Sequence, residues 1–143
     1  MKLAIDLGGT NIRIGVMKDG EVIKKIAKPC PSTLPCQDVI DFLITSIEEV
    51  MNADILSIGI GVPSVVDSRY GIVYNVVNIP SWKEVHLKSI LENKFGIPVY
   101  INNDANCFAL GVHTFGEGKP YKDMLGITIG TGVGAGVIID GKL

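Results

Sequence analysis

The chain has 143 residues, 47% hydrophobic and 20% charged, with a formal net charge of −2. That length suits one domain with its own core, and the near-neutral balance argues against a nucleic-acid grip or a membrane-surface patch. No apolar stretch approaches the roughly 18 residues of a membrane span, the apolar run Leu3-Ala4-Ile5 is interrupted at once by the charged Asp6, as no signal peptide's would be, and Cys30, Cys36 and Cys107, with no CxxC spacing, read as reduced thiols of a cytoplasmic protein. His86 and His113 read as surface residues on helices, not as metal ligands.

In chain order, Lys2 to Leu7 is a short apolar run broken by Gly8-Gly9-Thr10. Asn11 to Met17 resumes with β-branched residues, and Asp19-Gly20 is a hairpin signal before a third strand, Glu21 to Lys28, whose lysines face solvent. These three strands should be antiparallel neighbours. Pro29, Pro31 and Pro35 make a stiff loop. Val39, Ile40, Leu43, Ile47, Val50 and Met51 fall at helical spacing and predict a helix over 37–52. The apolar run 55–62 predicts a buried central strand, ended by Pro63. Residues 64–85 read as irregular, with 72–74 extended. A second helix is expected over 86–95 with Gly96 as its C-cap, a strand over 98–101, and a third helix capped by Asn103 and running toward Gly116. Residues 124–143 alternate glycine with apolar and threonine residues and predict two strands around a glycine-rich turn, with Asp140-Gly141 as a further turn.

Three clusters carry chemistry. In Asp6-Leu7-Gly8-Gly9-Thr10 a strand-end acid precedes a turn whose backbone N–H groups can face an anion. Its glycines permit close approach and positive φ, Thr10 adds a hydroxyl, and Asp6 could hold Mg²⁺ through water. The plain alternative is an ordinary hairpin turn. The second cluster, Gly130-Thr131-Gly132-Val133-Gly134-Ala135-Gly136, is not a dinucleotide fingerprint, because the sixth position is Ala135 and a strand follows, not a helix. Gly136, Gly141 and Lys142 fit part of a Walker A loop, but Leu143 stands where Ser or Thr must be. What remains is a second backbone phosphate contact or a tightly packed hairpin. The third, Asn102-Asn103-Asp104-Ala105-Asn106, opens a helix after a buried strand. Asp104 either complements the helix dipole or faces a cleft as a general base, with Asn103 and Asn106 gripping substrate hydroxyls.

Together these clusters resemble the actin-like ATPase superfamily, and more closely the ROK sugar kinases. The resemblance spans the whole chain and rests on residues 4–13 (Ala-Ile-Asp-Leu-Gly-Gly-Thr-Asn-Ile-Arg), 59–67, 78–82 (Asn-Ile-Pro-Ser-Trp), 102–107 and 130–134. It implies a ribonuclease-H-like (actin-like ATPase) α/β domain: a mixed sheet in the order βββαβαβα followed by a glycine-rich β-hairpin. It further implies ATP-dependent phosphorylation of a hexose, glucose first among the candidates. Asp6, Gly8, Gly9, Thr10 and Asn11 would meet the phosphates, with Mg²⁺ on Asp6. Gly130, Thr131, Gly132 and Gly134 would form the second phosphate loop. Ser64, Asn78, Asn103 and Asp104 would line the sugar site, Asp104 accepting the hydroxyl proton.

Ser64 and Ser81 stand where the family usually carries glycine, and Ala135 replaces another. The resemblance implies that residues 1–143 are the N-terminal domain of such a kinase. The C-terminal lobe, with the rest of the sugar site, a zinc cluster and the adenosine pocket, would then be absent and this chain alone close to inactive. A homodimer is compatible with the family; nucleic acid and membrane are not expected as partners. The rival expectations are a sugar-sensing transcriptional regulator of the same family, disfavoured because no basic recognition helix precedes Asp6, and a non-catalytic sugar-binding module of the same fold.

Overall fold

The computed structural model describes residues 1–130 and 132–143. β1 (Lys2–Leu7), β2 (Asn11–Lys18) and β3 (Glu21–Pro29) form an antiparallel meander. The turn between β2 and β3 has Asp19 at φ 51° and Gly20 at φ 86°, the two left-handed residues that a tight hairpin matched to strand twist requires. α1 (Cys36–Glu48) leads to β4 (Ile58–Val62), which lies parallel to β1. After a small sheet described below, α2 (Leu87–Phe95) leads to a strand running Val99–Asn103, parallel to β4.

The small sheet occupies the stretch expected to be irregular. It comprises β5 (Val65–Asp67), β6 (Ile72–Tyr74) and β7 (Glu84–Val85), all antiparallel. Strands of two or three residues are too short to show periodicity, so only 72–74 was legible. Asp67 Oδ1 accepts the N–H groups of Arg69 and Tyr70 and Gly71 takes φ 64°, which closes the β5–β6 turn. The order βββαβαβα is thus interrupted by a three-stranded insertion.

The strand Val99–Asn103 is β8; it completes a five-stranded mixed sheet ordered β3-β2-β1-β4-β8. α3 (Asp104–Phe115), β9 (Met124–Ile129) and β10 (Val133–Ile138) follow, the last two pairing as an antiparallel hairpin. Asp140 at φ 51° and Gly141 at φ 73° make the final turn.

Two expected elements are shorter. α1 stops at Glu48, not Asn52, because the N–H groups of Val50 and Met51 both turn back to the carbonyl of Ile47. β4 starts at Ile58, not Ile55, although Ile55 is buried; burial alone cannot tell a strand from the loop leading into it.

Alternation fixes the two faces of the large sheet. Leu3, Ile5, Leu7, Ile12, Ile14, Val16, Ile58, Ile60, Val62, Val99 and Ile101 point to one face and are buried. There they form one cluster with Val39, Ile40, Leu43 and Ile47 of α1 and Leu87 and Leu91 of α2. Val73, Val76, Ile79, Trp82 and Val85 tie the small sheet to the same cluster. The opposite face carries Ala4, Asp6, Arg13, Gly15, Gly59, Gly61, Tyr100 and Asn102, and α3 packs across its β4–β8 side. Among the described residues no helix is long and apolar enough to cross a membrane.

Candidate functional site

A row of residues crosses the open face of the sheet. Asp6 pairs with Arg13 on β2 and with Gly61 on β4, and Gly61 pairs with Asn102 on β8. Because β1, β4 and β8 are parallel, the row lies where their C-terminal ends converge, the place where open α/β sheets take ligands. Gly61 lies directly under the start of α3: a Cβ there would be in ordinary contact, 3.5 Å from both Asp104 Cα and Cys107 Sγ. A cleft of about 860 Å³ opens above, lined by Asp6, Arg13, Lys25, Gly61, Asn102, Asp104 and Cys107 among others.

Asp104 is exposed at the start of α3. Its Oδ1 accepts the N–H of Ala105 at 2.8 Å, and its other oxygen has no partner among the described residues. Asn103 is the N-cap, its Oδ1 accepting from Ala105 N at 2.9 Å and Asn106 N at 3.2 Å, as the sequence predicted. Its Nδ2 donates to the carbonyl of Ser64 at 3.2 Å. Asn102 Oδ1 accepts the N–H of Asn103 at 2.8 Å and Nδ2 of Asn106 at 3.1 Å. Three asparagines thus frame the base candidate, and their side chains are largely committed to that frame; only part of Asn103 is left for a substrate. Asn106, expected to grip hydroxyls, is tied to Asn102.

Ser64 is reached by the same network, but its Oγ donates to the carbonyl of Tyr74. The hydroxyl that replaces a family glycine therefore braces the small sheet and is not free as a donor to a sugar. Ser81, the second such replacement, has its hydroxyl oxygen buried with no partner among the described residues. Asn78 is exposed and packs against the phosphate turn: a Cβ on Gly9 would overlap Asn78 Cβ at 2.1 Å.

That contact corrects the reading of the turn. Neither Gly8 nor Gly9 takes a positive φ. Gly9 is glycine because Asn78 lies on it, and a Cβ on Gly8 would meet the Asn11 carbonyl at 3.1 Å. The turn is closed by Gly8 N–H donating to that same carbonyl at 2.9 Å, while Thr10 O accepts from Cys30 N at 2.9 Å. The exposed Thr10 side chain and the Asp6 carboxylate lie at its rim.

The glycine hairpin divides in two. On Gly134 a Cβ would meet Ala105 Cβ at 2.9 Å, and on Gly136 the Ala105 carbonyl and Ala109 Cβ at 2.6 Å. These glycines, with Gly126 against Ala109, let the hairpin seat on α3. Gly130 and Gly132 face open space, with nothing within 4 Å of a Cβ. The packed-hairpin alternative thus accounts for Gly134 and Gly136, while Gly130, whose N–H donates to the Gly132 carbonyl at 2.9 Å, and Gly132 have open space beside them. Thr131 lies outside the described residues. Ala135 is exposed on the far side of the hairpin.

Two residues at the site were not assigned a role from sequence. Arg13 Nη1 donates to Asp6 Oδ2 at 2.8 Å. Cys107 has its thiol pKa pushed up, first by burial and then by the carboxylates of Asp104 and Asp6. His86 and His113 are elsewhere, bonded to Glu84 and to the Tyr121 carbonyl. Among the described residues no three His, Cys, Asp or Glu side chains gather to hold a metal. The three cysteines are free thiols.

The profile of the ROK family matches residues 2–143. The glucokinase of Thermotoga maritima is 36% identical over 143 residues, covering 99% of this chain and 45% of the relative. The xylose repressor of Caldicellulosiruptor bescii is 47% identical over 89 residues, 62% of this chain and 22% of the repressor. Among solved structures, a ROK family glucokinase from Streptomyces griseus in complex with glucose and AMPPNP superposes with a TM-score of 0.86 at 32% identity, covering 99% of this chain and 45% of that one. The chain spans just under half the length of the curated glucokinases it matches.

Proposed function

The chain belongs to the ROK family, and from that premise we propose that it is the phosphate- and sugar-binding half of an ATP-dependent hexose kinase with Asp104 as general base. The observation that carries the reading is the juxtaposition across Gly61: a strand-end carboxylate beside a glycine turn, and a second carboxylate on a helix start, both opening on one cleft. The similarity to glucokinases, one of them solved with glucose and AMPPNP, supports the same reading.

In this mechanism the sugar hydroxyl lies against the unpartnered oxygen of Asp104. As the hydroxyl oxygen attacks the γ-phosphorus, its proton passes to that carboxylate and the bond to ADP breaks. The asparagine frame holds Asp104 in place, so that much of the barrier is lowered by positioning. Gly8 N–H and Gly130 N–H are spent on the Asn11 and Gly132 carbonyls, which leaves the backbone N–H groups of Gly9, Thr10 and Gly132 to meet phosphate oxygens. Asp6 would hold Mg²⁺ through water, and the ion supplies charge neutralisation. A single carboxylate without a preformed ligand cage suits an ion that keeps its waters and shares substrate phosphates. The segments completing the sugar and adenosine sites lie outside these 143 residues, so the chain alone is expected to turn over poorly.

The test is a coupled ADP-release assay with a panel of hexoses, on the full-length protein and on this chain, with Asp104→Asn beside each. Removing the base should lower kcat about 10²–10⁴-fold while sugar binding persists. A second reading, a sugar-responsive regulator, is favoured by the similarity to the xylose repressor. It becomes the better account if the full-length protein binds a sugar and releases no ADP with any hexose.

A further inference from the structure

Ser64 stands at a junction that the proposed mechanism does not use. It is half-buried between β4 and β5 and bonds to three parts of the fold at once. Its N–H donates to the carbonyl of Val62, at the end of β4, at 2.9 Å. Its hydroxyl donates to the carbonyl of Tyr74, at the end of β6. Its carbonyl accepts Nδ2 of Asn103, at the end of β8, at 3.2 Å. Asn103 spends its own oxygen on the N–H groups of Ala105 and Asn106 in the first turn of α3. The amide is gripped at both ends, so the broad rotation open to a free asparagine side chain is lost. The Ser64 carbonyl thus sets the direction of that amide, and the amide caps the helix start that carries Asp104. The hydroxyl in turn anchors this carbonyl to β6. The remaining tie to the small sheet runs through β5, a strand of three residues, and so short a strand pairs weakly.

We propose that Ser64 is a positioning residue for the general base. Its hydroxyl pins the loop after β4 to the small sheet, the pinned carbonyl orients the amide of Asn103, and Asn103 sets the helix turn from which Asp104 meets the acceptor hydroxyl. This rests on the kinase reading of the cleft with Asp104 as base. A hydroxyl that is spent on a backbone carbonyl, and so has no proton to offer a sugar, acts on the acceptor side of the reaction through two hydrogen bonds. None of these bonds touches residues 8–10, so the phosphate turn stays as it is when the relay is cut.

The experiment is a double-mutant cycle in steady-state kinetics on the full-length protein carrying this sequence, with MgATP and the hexose that wild type turns over fastest. Wild type, Ser64→Ala, Ser64→Thr, Asn103→Ser and the double variant Ser64→Ala with Asn103→Ser are compared well below the melting temperature measured for each. Asn103→Ser keeps an oxygen that caps α3 and lacks the amide that reaches Ser64. Losing the hydroxyl bond in Ser64→Ala should lower kcat about three- to tenfold. The same variant should leave KM for MgATP within about twofold of wild type, because the donor side is not in the relay. Ser64→Thr keeps the hydroxyl and should restore most of kcat. In the Asn103→Ser background, adding Ser64→Ala should lower kcat less than about twofold, since the link is already cut. A Ser64→Ala protein that melts earlier and keeps wild-type kcat would reduce the hydroxyl to a brace and overturn the proposal. Losses that simply multiply in the double variant would overturn the route through Asn103. If wild type itself releases no ADP with any hexose, the kinase reading fails and this inference with it. If wild type turns over and Ser64→Ala matches it, only the role of Ser64 fails.

Discussion

Cys107 lies beside both carboxylates of the cleft, and its thiol reports on them. Burial, then Asp104, then Asp6 raise its pKa, so the thiolate is scarcer at neutral pH than for an ordinary cysteine, and reactivity appears only as pH climbs past the usual thiol range. Asp104→Asn removes one of the charges that raise it. The variant should therefore alkylate with iodoacetamide a few-fold faster than wild type at mildly alkaline pH, read by mass spectrometry on the Cys107 peptide. Equal rates in the two proteins would mean that Asp104 does not face Cys107. At this scale the sequence was partly legible. Asn103 as a helix cap follows from its type and place, and so does the tight turn at Gly8–Thr10. Arg13 was legible in principle, since a four-residue turn with Leu7 opposite Ile12 puts residues 6 and 13 side by side. The commitment of Ser64 to Tyr74 was not, because it depends on a sheet too short to read.

Among the elements, the β9–β10 hairpin separates two uses of glycine. Gly136→Ala would drive a methyl into the Ala105 carbonyl and Ala109 Cβ, both at 2.6 Å, and should cost about 1–3 kcal/mol in urea unfolding. Gly132→Ala meets nothing within 4 Å and has no left-handed φ to lose, so its stability should stay within about 0.5 kcal/mol of wild type. If Gly132 serves a phosphate, the same variant weakens nucleotide binding while melting normally. A Gly136→Ala protein as stable as wild type would refute the seating of the hairpin on α3. The turns themselves were legible: Asp19-Gly20, Asp140-Gly141 and Gly96 take the positive φ that their residue types favour. Gly9 broke that pattern because its small size serves a neighbour distant in sequence, not its own backbone.

At the scale of the molecule, two surfaces formed by the described residues stand out as uncovered. One is the open side of the large sheet. The other is the outer face of the hairpin, where Leu125, Ile127, Ile129, Val133 and Val137 are 50–84% exposed. Contiguous apolar surface of this kind promotes association. The isolated chain should self-associate as its concentration rises in sedimentation velocity, and Ile127→Lys with Val137→Glu should reduce that. A chain that stays monomeric at every concentration would show that the hairpin rearranges in solution. The longer relatives, of which this chain spans just under half, carry residues with no counterpart here, and full-length protein is expected to be monodisperse where the isolated chain is not.

Local chemistry is what the sequence determined alone. Apolar and β-branched runs marked β1 and β2, Gly and Asp marked the turns, and Asn103 marked a helix start, because each depends only on neighbours along the chain. The tertiary structure decided which distant residues meet: Gly61 under Asp104, Gly9 under Asn78, Gly134 and Gly136 under Ala105. The first of those meetings goes with the parallel register of β1, β4 and β8, strands joined through helices and not by any tight turn; the others join elements that no strand pairing connects. The cleft is built from such contacts, so its parts could be named from the sequence while their arrangement could not.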